Sequence, residues 1–145
     1  MPGNWLHRLR SIWPRPNQEP IAQRRGHLGE RAARRHLERT GMKCLAANYR
    51  SPRGEIDLVF RDHDCLVFVE VKARGRDQWT RPAAAVDTEK RRRVAQGAMD
   101  YLSEIGRPEI KIRFDIVEVL LEADALSEVR HLQAAFSMPS SMRFG

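Results

Sequence analysis

The residues most able to do chemistry lie in two short runs. Glu55 and Asp57 stand two apart in Gly54-Glu55-Ile56-Asp57-Leu58-Val59-Phe60, and Glu70 and Lys72 stand two apart in Leu66-Val67-Phe68-Val69-Glu70-Val71-Lys72. Both runs read as strands, with Asp62-His63-Asp64 as the turn between them. Side chains two apart on a strand share a face. On the first strand, Ile56, Leu58 and Phe60 are predicted to share one face, and Glu55, Asp57 and Val59 the other. On the second, Cys65, Val67, Val69 and Val71 oppose Leu66, Phe68, Glu70 and Lys72. A hairpin loop of two or four residues between Arg61 and Leu66 brings the wholly apolar sets onto one face. The four-residue form, Asp62 to Cys65, sets Asp57 opposite Glu70 and Glu55 opposite Lys72. An odd loop would set apolar residues against charges on both faces.

One end of that hairpin therefore gathers three carboxylates and one ammonium. Like charges so close disfavour joint ionisation unless something positive lies among them. A hard divalent cation such as Mg²⁺ suits carboxylate oxygens and keeps waters for substrate phosphates. Water on such a cation loses a proton more easily, and the cation steadies charge developing on a phosphate. Lys72 would then position the attacking water or hold the phosphate. A second reading needs no ligand: Glu55 and Lys72 form a cross-strand ion pair worth about 0.2–1 kcal/mol, and Asp57 and Glu70 are solvated. Spacing alone leaves both open.

The elements that must position these residues can be traced from periodicity. A helix is predicted from about Ala22 to Thr40, with Leu28, Ala32, Ala33 and Leu37 as its apolar face and Gly41 as its stop. Arg24, Arg31, Arg34, Arg35 and Arg39 line the other face. Glu30 falls at the edge of the apolar stripe, where it can also pair with Arg34 for about 0.2–0.5 kcal/mol. Strands are predicted over Lys43–Tyr49, Glu55–Arg61 and Cys65–Lys72. A loop follows from Arg74 to Val86, and Trp79 within it is expected to cap the core. A second helix spans about Thr88 to Ile105, capped by Asp87 or Thr88, with Val94, Ala98, Tyr101, Leu102 and Ile105 buried. An alternating strand, Ile110–Leu121, and a shorter element around Val129–Phe136 complete the order. This is an α/β pattern, α-β-β-β-α-β, with helices flanking one sheet. Residues 1–20 read as an appendage, amphipathic through Trp5, Leu6, Leu9, Ile12 and Trp13, or else disordered. Residues 21–136 form the domain and 137–145 a flexible tail.

Composition narrows the class. The chain has 145 residues, enough for one domain, of which 41% are hydrophobic and 31% charged. No apolar run reaches the ~20 residues of a membrane span, and Arg8, Arg10 and Pro14 interrupt any signal-peptide core. Two cysteines, Cys44 and Cys65, make no disulfide scaffold. A cytoplasmic protein is expected. Charge is lopsided: residues 1–50 hold 11 basic and 3 acidic side chains, a net of +8, while residues 51–145 hold 15 and 16, a net of −1. Of the 26 basic residues, 22 are arginine, whose planar fork suits phosphate; a solvated basic face would look the same. Lys90-Arg91-Arg92-Arg93 opens a helix against its dipole, which favours phosphate contact through Lys90 and Arg93. Arg53, Arg74 and Arg76 flank the acidic cluster. No Cys/His spacing suggests zinc.

Asp57, then thirteen residues, then Glu70-Val71-Lys72 resembles the PD-(D/E)xK nuclease signature. More specifically, the chain resembles the YraN-like family of small bacterial proteins. The matching text is Gly26-x-x-Gly29-Glu30-x-x-Ala33, Asn48-Tyr49-Arg50, Gly54-Glu55-Ile56-Asp57-Leu58, Phe68-Val69-Glu70-Val71-Lys72-x-Arg74, Val86-x-x-x-Lys90 and Arg113-Phe114-Asp115. It covers about residues 24–120. The resemblance implies a restriction-endonuclease-like mixed sheet similar to that of archaeal Holliday-junction resolvases. It implies Mg²⁺ (or Mn²⁺) held by Asp57, Glu70 and the Val71 carbonyl, with Lys72 as catalytic lysine and Glu30 as an additional acid. Ile56 stands where the signature has proline, and Gln96 and Tyr101 are too far apart for the helix motif of some members. The expected function is a Mg²⁺-dependent phosphodiesterase, a DNA endonuclease for branched or damaged DNA, working as a homodimer. The alternatives are an inactive nucleic-acid-binding protein on the same fold, and an interaction module built on residues 1–20.

Overall fold

The first helical pattern folds as α1, Ile21–Arg39, in a computed structural model that describes residues 20–79, 88–123 and 125–138. The buried stripe of α1 is Gly29, Ala33 and Leu37, while Leu28 and Ala32 are only half-buried. The stripe includes a glycine because the helix comes closest to the sheet there: a Cβ on Gly29 would lie 2.9 Å from that of Ala73. The helix ends where its sequence predicts. The Thr40 N–H donates to the His36 and Leu37 carbonyls, and Gly41 takes φ +95°, the left-handed turn glycine adopts without strain.

Five strands follow: β1 (Lys43–Arg50), β2 (Glu55–Asp62), β3 (Cys65–Gly75), β4 (Lys111–Glu122) and β5 (Ala125–Phe136), with α2 (Thr88–Glu104) between β3 and β4. They lie in chain order in one sheet. β3 and β4 are parallel and the other neighbours antiparallel. A parallel pair requires a crossover, and α2 lies within it. α1 covers Val67, Val69, Val117 and Val119 on one face. α2 covers Ile56, Val59, Phe68 and Phe114 on the other. The α/β mixed sheet is therefore as predicted, and β5 adds a strand to α-β-β-β-α-β. No described helix is long and apolar enough to cross a membrane.

Three expectations need correction. β4 does not alternate: it is buried continuously from Phe114 to Leu121, because a strand parallel to β3 in mid-sheet is covered on both faces. β3 runs to Gly75 rather than Lys72, paired with β4 throughout. The third concerns the hairpin. Its loop is the two residues His63 and Asp64, with Asp62 paired to Cys65, so the predicted register is kept. However, the β2–β3 ladder ends at Leu58–Val69. Leu58 and Phe60 face α1, yet Ile56 joins Val59 on the α2 side. Beyond Leu58, β2 is thus no longer a regular pleat, and Ile56, Leu58 and Phe60 do not share a face. Opposite this break, Asn48 of β1 takes φ +52°, a conformation asparagine tolerates better than most residues.

β5 is held by a carboxylate buried in β4. Asp115 is fully buried. It meets His131 Nε2 at 2.6 Å, accepts from Arg113 Nε at 2.8 Å, and accepts the Ala134 N–H at 2.9 Å. Burial opposes ionisation, but the bonds from His131, Arg113 and Ala134 outweigh it and hold the Asp115 pKa below its ordinary value. A depressed carboxylate contributes stability above its unfolded pKa, and that contribution is lost as pH falls through the folded one. Asp115→Ala is expected to cost about 3–5 kcal/mol near neutral pH, with the deficit shrinking in acid. Urea unfolding at both pH values measures it.

The amphipathic stretch within residues 1–19, the cap at Asp87, the loop from residue 80 to Val86 and the tail beyond Met138 lie outside the described residues. Trp79 is half-buried at the end of a 3₁₀ turn, Arg76–Gln78.

Candidate active site

The site forms where the β2–β3 ladder opens. Past Leu58–Val69 the two strands no longer exchange backbone bonds. Instead, the Val71 N–H donates to Asp57 Oδ2 at 2.8 Å. One break in the pleat thus turns the Asp57 carboxylate into the gap, where it takes the place of a backbone partner for the Val71 N–H.

Asp57 is pushed up to about 6. Burial is the largest cause; the Val71 hydrogen bond works against it, the Glu70 and Glu30 carboxylates add to it, and Lys90 opposes. Three predicted acids therefore share one electrostatic neighbourhood. They arrive from α1, β2 and β3, and the close approach at Gly29 sets the position of the neighbouring Glu30. Glu70 is only 2% exposed. Lys72 follows it on the same face of β3. Burial, then the Arg74 guanidinium, pushes the Lys72 ammonium below its ordinary range, against the pull of Glu70 and Glu118. A lysine so placed gives up a proton more readily than a solvated one.

The basic residues are placed differently from expectation. Lys90 turns inward, its Nζ 2.8 Å from Glu70 Oε1. Arg74 is buried against Glu118 of β4 at 3.2 Å. Arg93 reaches Glu55 at 3.5 Å, and neither predicted opposition, Asp57 with Glu70 or Glu55 with Lys72, belongs to the β2–β3 ladder, which ends at Leu58–Val69. Arg76 pairs with Glu122 at 2.6 Å. Arg53 bonds Asp100, with Nε 3.1 Å from Oδ1, on the wall of a cavity of about 540 Å³ lined also by Met99, Leu102 and Ile110 and by none of the acids above. Each of these five cations has a carboxylate partner. Glu118 is a partner that the strand pattern alone does not flag. Its signal is a lone acid in the otherwise apolar run Ile116-Val117-Glu118-Val119-Leu120 of a buried parallel strand.

Among the described residues, no three His, Cys, Asp or Glu side chains converge as a ready cation cage. The donor set that can be assembled is smaller: two hard carboxylates and a peptide carbonyl. It fits Mg²⁺ or Mn²⁺, which accept one or two carboxylates and retain waters. The observation favouring that fit is the chemistry of the donors: a half-buried Asp57, raised chiefly by desolvation, next to the buried Glu70 carboxylate. Chemically, the cluster can bind a divalent cation, hold a phosphate through Lys72, and order a water between them.

Comparisons with known proteins agree with the resemblance drawn from the motifs. The model of the family described as "Uncharacterised protein family UPF0102" matches residues 29–119. A UPF0102 protein from Chlorobaculum tepidum is 40% identical over 116 residues, covering 77% of this chain and 90% of the relative. One from Parafrankia sp. is 42% identical over 117 residues, covering 80% and 98%. One from Desulfosudis oleivorans is 36% identical over 109 residues, covering 75% and 89%. With Glu30, Asp57, Glu70, Lys72 and strands β1 to β3 all inside the matched span, the chain belongs to UPF0102, the YraN-like family.

Proposed function

We propose that this protein is a Mg²⁺-dependent nucleic-acid phosphodiesterase, a DNA endonuclease directed at branched or damaged DNA. The observation that carries this reading is the half-buried Asp57 with the buried Glu70 beside Lys72 at the open end of the hairpin. Asp57, Glu70 and the Val71 carbonyl would hold the cation, which when bound supplies positive charge and a more acidic water. Asp57 is oriented by the Val71 N–H. Lys72, on the same face as Glu70, holds a phosphate oxygen or takes the proton of the attacking water. Glu30 adds negative charge to the cation site from the α1 side. Arg93 and Arg76, both largely exposed, can leave their surface carboxylates for phosphate, since such pairs are worth only about 0–1 kcal/mol. Two copies acting together would cut paired strands.

The test is incubation of purified protein with Mg²⁺ or Mn²⁺ and labelled single-stranded, duplex and branched DNA and RNA, beside Lys72→Met. Cleavage by the wild type, strongest on branched DNA and lowered about 10²-fold or more in Lys72→Met, is the expected result. Salt-sensitive binding equal in both proteins, with no cleavage in either, would instead assign a nucleic-acid-binding role.

A further inference from the structure

Lys90 stands in the first turn of α2, where positive charge opposes the helix dipole by about 0.3–1 kcal/mol. Helix stability does not explain it. Its ammonium lies 2.8 Å from Glu70 Oε1, and the two ends of the contact differ: the Glu70 side chain is 2% exposed and that of Lys90 50%. A carboxylate buried this deeply needs a counter-charge, and α2 supplies it from outside the sheet. Asp57 and Glu55 act on the same ammonium. The contact is nevertheless easy to exchange. Lys90 donates to Glu70 Oε1 at 2.8 Å, and that oxygen has no other hydrogen-bond partner among the described residues. A lysine head is a compact, strongly hydrated charge on a flexible stem, and this one already has half its surface in water.

We infer that Lys90 is a built-in counter-ion, filling the cation position at Glu70 while no metal is bound and leaving it for a substrate phosphate when a divalent cation arrives. The inference rests on the metal-dependent reading of the site. One ammonium cannot neutralise Asp57 and Glu70 together, whereas a divalent cation can engage both. The exchange keeps Glu70 compensated before loading. It also turns loading into a signal, since the displaced lysine becomes available to the backbone of a nucleic acid only once the cation is present.

Mn²⁺ titration calorimetry at about pH 8, where ordinary carboxylates are ionised, tests this on the full chain. Lys90→Met should bind Mn²⁺ about tenfold tighter than wild type, because no ammonium must be displaced, and Lys90→Arg should stay near wild type. In the wild-type protein, an amine-reactive reagent followed by peptide mass spectrometry should label Lys90 slowly without Mn²⁺ and several-fold faster with it. That second readout stands even if Lys90→Met fails to fold. Equal or weaker binding by folded Lys90→Met would overturn the inference, as would labelling that Mn²⁺ leaves unchanged or slows. If Mn²⁺ binds wild type and is lost in Asp57→Asn while Lys90→Met binds like wild type, only the counter-ion role fails. If Mn²⁺ binds none of these proteins, the metal-dependent reading fails with it.

Discussion

Asp57→Asn should make the protein more stable near neutral pH while ending its activity. The carboxyl is raised from 3.8 to about 6, so between those values the folded state binds more protons than the unfolded one. Stability then falls as pH rises through that window. Above it, the ionised Asp57 costs about 2–3 kcal/mol. Asparagine removes the charge and keeps an oxygen to accept the Val71 N–H. For a chain of this size the gain corresponds to roughly 5–10 °C in Tm. Thermal melts at pH 7.5 and pH 4 check the sign: the advantage should be present at the first and nearly absent at the second. A mutation that removes activity while stabilising the fold marks a residue kept for function; one that lowers both marks structure. Saturating Mn²⁺ should also raise the Tm of wild type, since binding to the folded state stabilises it, and should leave that of Asp57→Asn unchanged.

Gly54→Ala should be the most damaging single-methyl change. A Cβ at this position would lie 2.0 Å from the Arg93 carbonyl oxygen and 2.5 Å from the Gly97 nitrogen. Both obstacles are backbone, so no side chain can swing aside. The crossing sets the start of β2 directly on α2, and so fixes Asp57 relative to the helix that carries Lys90 and Arg93. Relief requires the strand and helix to part, at about 3 kcal/mol or more. Gly97→Ala meets the Glu55 nitrogen only at 3.1 Å and should be milder. Urea unfolding midpoints rank the two. A Gly54→Ala protein as stable as wild type would mean that the strand–helix crossing is looser than its geometry indicates.

That Asp57, Glu70 and Lys72 lie at one end of the hairpin is legible in the sequence, because strand period and register place them there; that Asp57 bonds the Val71 N–H across an open ladder is not. Register is in turn imposed by the apolar sets that must share a core. The helix bounds are legible for a similar reason: Gly41 and the stripe through Ala33 and Leu37 are local. What is not legible depends on contacts between distant segments. The reversal of Ile56 follows from a side chain replacing a backbone partner at Val71, opposite a left-handed Asn48. Lys90 reads as an outward phosphate contact because nothing local indicates that Glu70 lies beneath it. β5 reads as a short piece because Ala125–Glu128 is exposed and lacks an apolar pattern. Pairing with β4 defines it, and its anchor, Asp115, acts from the neighbouring strand.

The proposed metal site depends jointly on Asp57 and Glu70. Single-turnover cleavage of labelled branched DNA by wild type, Asp57→Asn and Glu70→Gln, followed against Mn²⁺ concentration, tests it most directly. Metal-dependent cleavage by wild type is expected to fall by about 10³-fold or more in each variant, even though Asp57→Asn is expected to be the more stably folded protein. Cleavage at wild-type rates in either variant, or cleavage by wild type that needs no divalent cation, would contradict it.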